Sequence, residues 1–192
     1  MADTPAVVFI GTSLTAGYGL AAERAYPAVV GRLAASENLP IRIVNAGLSG
    51  ETSAGALRRV DWVLRSPADV VVVETGANDG LRALDIVSTR ENITAIVQRI
   101  RRTHPDAHVL LVQMEAPPNF GPDYTTRFRE MYPAIARETG ATLVPFLLEG
   151  VAAVPGMNQA DGIHPNVAGA ERVARTVWTA LKPVIAAAHP GR

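Results

Sequence analysis

Cysteine is absent from the 192 residues. Its absence excludes disulfides, a thiol nucleophile and any cysteine-based zinc or iron–sulfur centre, and leaves the redox compartment open. Lysine is almost absent too: Lys182 stands alone, and arginine carries the rest of the basic charge. Neither sign is in excess, because 18 Lys+Arg face 18 Asp+Glu, so no basic surplus points to nucleic acid or to an anionic membrane. No apolar run approaches the ~20 residues that span a bilayer, and stable membrane insertion is not expected. The start, Met1-Ala-Asp-Thr-Pro5, lacks the basic region and apolar stretch of a secretory signal. As it stands the chain reads as cytoplasmic; a signal already removed would make it periplasmic or secreted.

What is present is apolar and periodic. Hydrophobic residues make up 48%, enough for a substantial core and too many for a disordered chain. Short β-branched runs at Ala6–Ile10, Ile41–Val44, Asp69–Glu74 and His108–Gln113, with a weaker one at Ala141–Val144, read as strands. Continuous apolar runs of this length suit parallel strands covered on both faces. Helical spacing marks Tyr26–Ala35, Ser53–Leu64 (with Thr52 or Ser53 able to cap it), Arg90–Arg102 after Thr89, Thr125–Glu138 and Val167–Ile185. The alternation predicts a three-layer α/β/α sandwich with a five-stranded parallel sheet, flavodoxin-like in topology. No repeat, low-complexity tract or linker divides it, so residues 1–192 are expected to form a single domain.

Open α/β sheets place their sites at the carboxyl ends of the strands. Those ends are Gly11–Gly17, Asn45–Gly47, Thr75–Gly80 and Met114–Pro118, all rich in small or polar residues. Ser13 follows the first strand. It is either a nucleophile or a cap for the next helix. The stretch lacks the Gly-Lys-Ser/Thr ending of a P-loop, the Gly-x-Gly-x-x-Gly of a dinucleotide site and the Gly-x-Ser-x-Gly of a nucleophile elbow. A serine nucleophile needs a base, and there are four histidines. His104 stands at a helix end, His108 opens a strand and His189 belongs to a C-terminal tail. His164 lies in Asp161-Gly-Ile-His-Pro165, where three-residue spacing lets Asp161 orient the imidazole; a plain capping turn is the competing reading. Asn78, in Gly-Ala-Asn-Asp-Gly, is a turn former or an oxyanion donor. Gly47 is a second such donor or a turn glycine of positive φ. Asp79 reads as a buttress of its loop.

Each signal alone is ambiguous, but four separate loops supply one set of complementary groups. At this point the chain resembles the SGNH (GDSL-type) hydrolases. The resemblance rests on Phe9-Ile-Gly-Thr-Ser-Leu-Thr-Ala-Gly-Tyr-Gly19, Val44-Asn-Ala-Gly-Leu-Ser-Gly-Glu-Thr52, Gly76-Ala-Asn-Asp-Gly-Leu-Arg82 and Asp161-Gly-Ile-His-Pro-Asn166. It runs from about Val7 to Lys182. The branch it is most similar to is the bacterial acyl-CoA thioesterase I / lysophospholipase L1 / arylesterase group, on Asn78–Arg82 and Gly150–Pro165.

The resemblance implies Ser13 as nucleophile, His164 as base, Asp161 as its partner, and Ser13, Gly47 and Asn78 as the oxyanion hole, with no metal and no cofactor. It implies a small-molecule acyl ester as substrate: short- to medium-chain, aryl esters included, with thioesters and lysophospholipids in reach. Two departures stand out. Thr12 replaces the usual Asp of Gly-Asp-Ser-Leu, and Ala77 replaces the second Gly of Gly-Gly-Asn-Asp. Leu81, Pro117, Pro118 and Phe120 are candidates for an acyl groove, or for ordinary packing. A carbohydrate O-deacetylase and a non-catalytic binding domain on the same fold are the rival readings.

Overall fold

The computed structural model describes residues 4–187; Met1 to Asp3 and His189 lie outside them. Five parallel strands form one sheet in the order β2-β1-β3-β4-β5, the flavodoxin order expected. The strands are β1 (Ala6–Gly11), β2 (Arg42–Gly47), β3 (Val70–Val73), β4 (His108–Val112) and β5 (Thr142–Val144). The helices are α1 (Ser13–Ala16), α2 (Tyr26–Ser36), α3 (Ser53–Val63), α4 (Ala77–Leu81), α5 (Ile86–Thr103), α6 (Pro122–Thr139) and α7 (Val167–Ala187). One layer pairs α2 with α7; the other packs α3 on α5 and α5 on α6. Between them β1 and β3 are buried at every position, which explains why these strands read as unbroken apolar runs rather than alternating ones. Among the described residues no helix is long and apolar enough to cross a membrane.

Three differences from the sequence reading have local causes. Strand β2 runs on through Asn45-Ala-Gly47, taken from the sequence as loop, because the β1 register continues to the pair Gly11–Gly47. Helix α5 starts at Ile86 rather than after Thr89. Asp85 caps it, its carboxylate accepting the Ser88 N–H at 2.7 Å, and Thr89 falls inside, its hydroxyl donating to the Asp85 carbonyl. The Gly11–Gly17 and Gly76–Gly80 segments, read as loops, each wind into a short helix. Ala77 is the first residue of α4, a helical position that needs no glycine.

The sheet order reverses between β1 and β3, and the segments after β1, β2 and β3 converge there. This crevice is where doubly wound sheets hold their ligands.

Candidate active site

Ser13 opens α1, one residue beyond β1. Thr12, not Ser13, caps that helix, its hydroxyl accepting the Leu14 N–H at 3.4 Å. The serine is thereby spared a capping role. Its Oγ lies 2.9 Å from His164 Nε2, across 151 residues of chain. His164 Nδ1 lies 2.7 Å from Asp161 Oδ2, while Asp161 Oδ1 accepts the backbone N–H groups of Ile163 and His164 at 2.9 and 3.0 Å. The capping turn and the acid–imidazole pair, alternatives in the sequence, are thus the same structure: one carboxylate oxygen builds the turn and the other faces the ring. The His164 side-chain bond, then the two N–H groups, hold the Asp161 carboxyl down at about 2. It is a carboxylate at any working pH.

Of the candidate oxyanion donors, Asn78 lines a cleft with Ser13, and Gly47 ends β2 opposite Gly11. Backbone N–H groups flanking Ser13 are taken, Thr12 by Glu74 and Leu14 by Thr12 itself. Asn78 donates one amide hydrogen to the Glu51 carbonyl at 3.0 Å, which fixes its orientation and leaves the second N–H for the cleft that Asn78 lines with Ser13. Gly47 differs from expectation. Its N–H is donated to Asn45 Oδ1 at 2.9 Å, so it reaches an oxyanion only by giving up that bond. Nor is its glycine needed for positive φ, since it is not among the residues with positive φ. A Cβ there would meet the Ala16 nitrogen at 2.2 Å, so close backbone approach to α1 is what excludes a side chain.

Buttresses of these loops were only partly legible. Asp79 is buried, as its role demands, and accepts from the Ser53 N–H and hydroxyl at 2.8 and 2.6 Å. Arg59 and Glu51 were missed: the guanidinium grips both Glu51 oxygens at 2.5 and 2.6 Å and donates to the Ala46 carbonyl at 2.7 Å, tying the segment after β2 to α3. The available signal was Arg59's place beside the buried Ala56 and Val60 on α3. His104, at the end of α5, instead bonds the Leu64 carbonyl at 2.9 Å.

Glu74 was also missed. It directly follows β3 with no exposed surface and accepts from the Thr12 N–H at 2.9 Å and from the Thr12 and Thr15 hydroxyls at 3.0 and 2.8 Å. Tyr26 faces Thr15 from α2 at 2.9 Å. This arrangement accounts for Thr12: a hydroxyl donates to Glu74, whereas an aspartate would set a second carboxylate against it. Burial outweighs the hydrogen bonds and pushes Glu74 up to about 7. Between its ordinary 4.5 and about 7 the folded chain therefore keeps a proton that the unfolded chain releases. Stability must fall as pH rises through that window and level off above it. The expected loss is about 3 kcal/mol. Urea titrations across that range should show it in the wild type and show it removed in Glu74→Gln; equal pH slopes in the two proteins would contradict the assignment.

A cleft of about 160 Å³ opens at Ser13, Asn78 and His164. Its apolar wall is Leu14, Leu81, Met114, Phe146, Leu148 and Ile163. Of the groove residues expected from sequence, only Leu81 lines it. Pro117, Pro118 and Phe120 do not; they lie at a short helical turn where Phe120 packs on Tyr124 instead. The missed wall residues Phe146, Leu148 and Ile163 come from the segment between β5 and α7, which no periodicity marks.

The class that this fold and this rim define is the α/β/α ester hydrolases built on a serine. Comparison with known proteins agrees. The profile of the GDSL-like Lipase/Acylhydrolase family matches residues 9–172. Esterase TesA of Pseudomonas aeruginosa is 41% identical over 181 residues, covering 93% of this chain and 89% of that one. Thioesterase 1/protease 1/lysophospholipase L1 of Escherichia coli K12 is 35% identical over 185 residues, 96% of this chain and 86% of that one. The crystal structure of AlinE4, a SGNH-hydrolase family esterase, superposes with a TM-score of 0.80 at 36% identity, covering all of both chains. The chain belongs to the GDSL-like lipase/acylhydrolase family, and it is a carboxylic ester hydrolase.

Proposed function

We propose that this enzyme cleaves short- to medium-chain acyl esters, aryl esters included, through an acyl-enzyme on Ser13, with thioesters and lysophospholipids as further substrates of the same site. The observation that carries the reading is the chain from Asp161 through His164 to Ser13 Oγ, with separations of 2.7 and 2.9 Å, at the mouth of an apolar cleft. Ser13 Oγ attacks the carbonyl carbon as its proton passes to His164 Nε2, and the carbonyl pair moves onto oxygen. Asp161 holds the imidazole by Nδ1 and stabilises its cation. The oxyanion is met by the Ser13 N–H, the Asn78 amide and, once it leaves Asn45, the Gly47 N–H. Collapse expels the alcohol or thiol, which takes the proton from His164. Water then attacks the acyl-enzyme, giving its proton to His164 and releasing the acid and Ser13.

The similarity to an esterase and to a thioesterase/lysophospholipase supports the breadth of leaving group. The acyl preference follows from the cleft, whose walls are aliphatic and aromatic but whose volume is small. Each methylene that finds wall contributes up to about 0.8 kcal/mol, or roughly fourfold in kcat/KM. Over p-nitrophenyl acetate, butyrate, octanoate and laurate, kcat/KM should therefore rise and then flatten or fall before laurate. A rise that continues through laurate, or activity confined to acetate, would overturn the assignment of this cleft to the acyl chain.

A further inference from the structure

The reacting pair sits on two parts of the chain with different support. Ser13 rides on α1, which Glu74 anchors to the centre of the sheet. His164 lies in residues 145–166, between β5 and α7, where there is neither strand nor α-helix. Side-chain amides shape that segment from within: Asn158 donates to the Val151 carbonyl at 2.7 Å, and Asn166 to the Gly156 carbonyl at 2.7 Å. These bonds hold the segment to itself. They do not hold it to α1.

Besides His164, one side chain ties it to the residues that follow α1. Gln159 Nε2 donates to the Tyr18 carbonyl at 2.7 Å, across 141 residues, and to the Pro165 carbonyl at 2.9 Å. The Gln159 backbone N–H donates to the carbonyl of His164 itself at 2.8 Å. Among the described residues, Gln159 to Tyr18 and His164 to Ser13 are the hydrogen bonds that join residues 12–20 to residues 145–166. The facing chain is cut to fit: Gly19 has φ +73°, and a Cβ there would stand 2.1 Å from Gln159 Oε1. Tyr18, whose carbonyl receives the amide, lays its ring 4.6 Å from the imidazole ring of His164.

From this geometry we infer that Gln159 is the positioning residue that sets the reach of His164 to Ser13, by fastening the histidine's own turn to the end of the nucleophile turn. The inference rests on the reading of Ser13 and His164 as nucleophile and base. Without the amide, the one hydrogen bond left between the two segments is the one that must break and re-form in each turnover. A displacement on the order of 1 Å costs up to about a hundredfold when groups must meet in line.

The test is kinetics per working site. Ser13 is titrated with a fluorophosphonate, and p-nitrophenyl butyrate turnover is divided by the titrated concentration. Gln159→Ala and Gln159→Glu should each lose about tenfold to a hundredfold in kcat with KM within about twofold. The rate constant of phosphonylation should fall by the same factor, while the final labelled fraction stays at the wild-type level. Gln159→Glu keeps the length of the side chain but sets a carboxylate against two carbonyl oxygens, so it should not rescue. Gly19→Ala, which crowds the amide without removing it, should lose kcat in the same direction and serves if the Gln159 variants fold poorly. Wild-type kcat per titrated site in Gln159→Ala and Gly19→Ala, with only Tm or the labelled fraction lowered, would overturn the inference. Ser13→Ala run beside them separates the two failures: turnover retained there sinks the nucleophile assignment itself, whereas turnover lost there and unchanged in Gln159→Ala sinks only the positioning role.

Discussion

Ser13→Ala is expected to lose about 10⁴- to 10⁶-fold in kcat toward p-nitrophenyl butyrate and to lose all fluorophosphonate labelling, while melting within about 4 °C of the wild type. The size follows from what the hydroxyl supplies. Without Oγ no acyl-enzyme forms, and His164 is left to activate water in a site shaped for a nucleophile attached to the chain. The fold should lose little. Thr12 caps α1, and the packing that seats α1 runs through the buried Leu14 and Thr15 rather than through Ser13. The one hydrogen bond lost is the one to His164, worth on the order of 1 kcal/mol. Turnover that survives the substitution would mean that another group attacks. A large drop in Tm would mean that Ser13 also holds the fold.

Asn78→Ala should cost about 10²- to 10³-fold in kcat with little change in KM, because charge appears on the carbonyl oxygen only as the transition state is approached. The amide is pre-set: its bond to the Glu51 carbonyl at 3.0 Å fixes which hydrogen remains for the cleft, and Glu51 is itself gripped by Arg59. Asn78→Asp should be slower still, since the same shape then meets a developing anion with a carboxylate. The lost Glu51 bond gives both variants a stability cost of about 1 kcal/mol, so kcat must be measured well below their Tm. Full turnover in Asn78→Ala would remove it from the oxyanion hole. Its weight among the donors is raised by Gly47, whose N–H is already given to Asn45 Oδ1.

What could be read along the chain and what could not divide along a physical line. The sheet was legible because β1 and β3 are buried on both faces, and burial of that kind admits only unbroken β-branched runs such as Val70–Val73. Helix α5 was legible by its stripe of Ile93, Ile96, Val97 and Ile100, all without exposed surface; its true start was not, because a cap is a local contest that Asp85 wins over Thr89. The candidate residues Ser13, Asn78, Asp161 and His164 were legible because each belongs to a short run of neighbours whose residue types are distinctive in order. The strand order then carries those runs to one crevice.

Other residues act through partners far along the chain, and nothing local marks them. Glu74 reads as the end of a strand; that it lies buried under the Thr12–Thr15 turn is decided by the pairing of β1 with β3, across 62 residues. Gln159 reads as one polar residue in an irregular stretch until the last segment folds back on Tyr18. The cleft wall is of the same kind, because Phe146, Leu148 and Ile163 meet Leu81 and Met114 only in space. Apolar periodicity and short runs of residue type suffice to set the layers, the sheet and the inventory of chemical groups, since all three are local properties of the chain. The distance from Ser13 to His164, the burial of Glu74 and the shape of the cleft come into being on folding alone, because each depends on the approach of segments whose separation in sequence carries no signal.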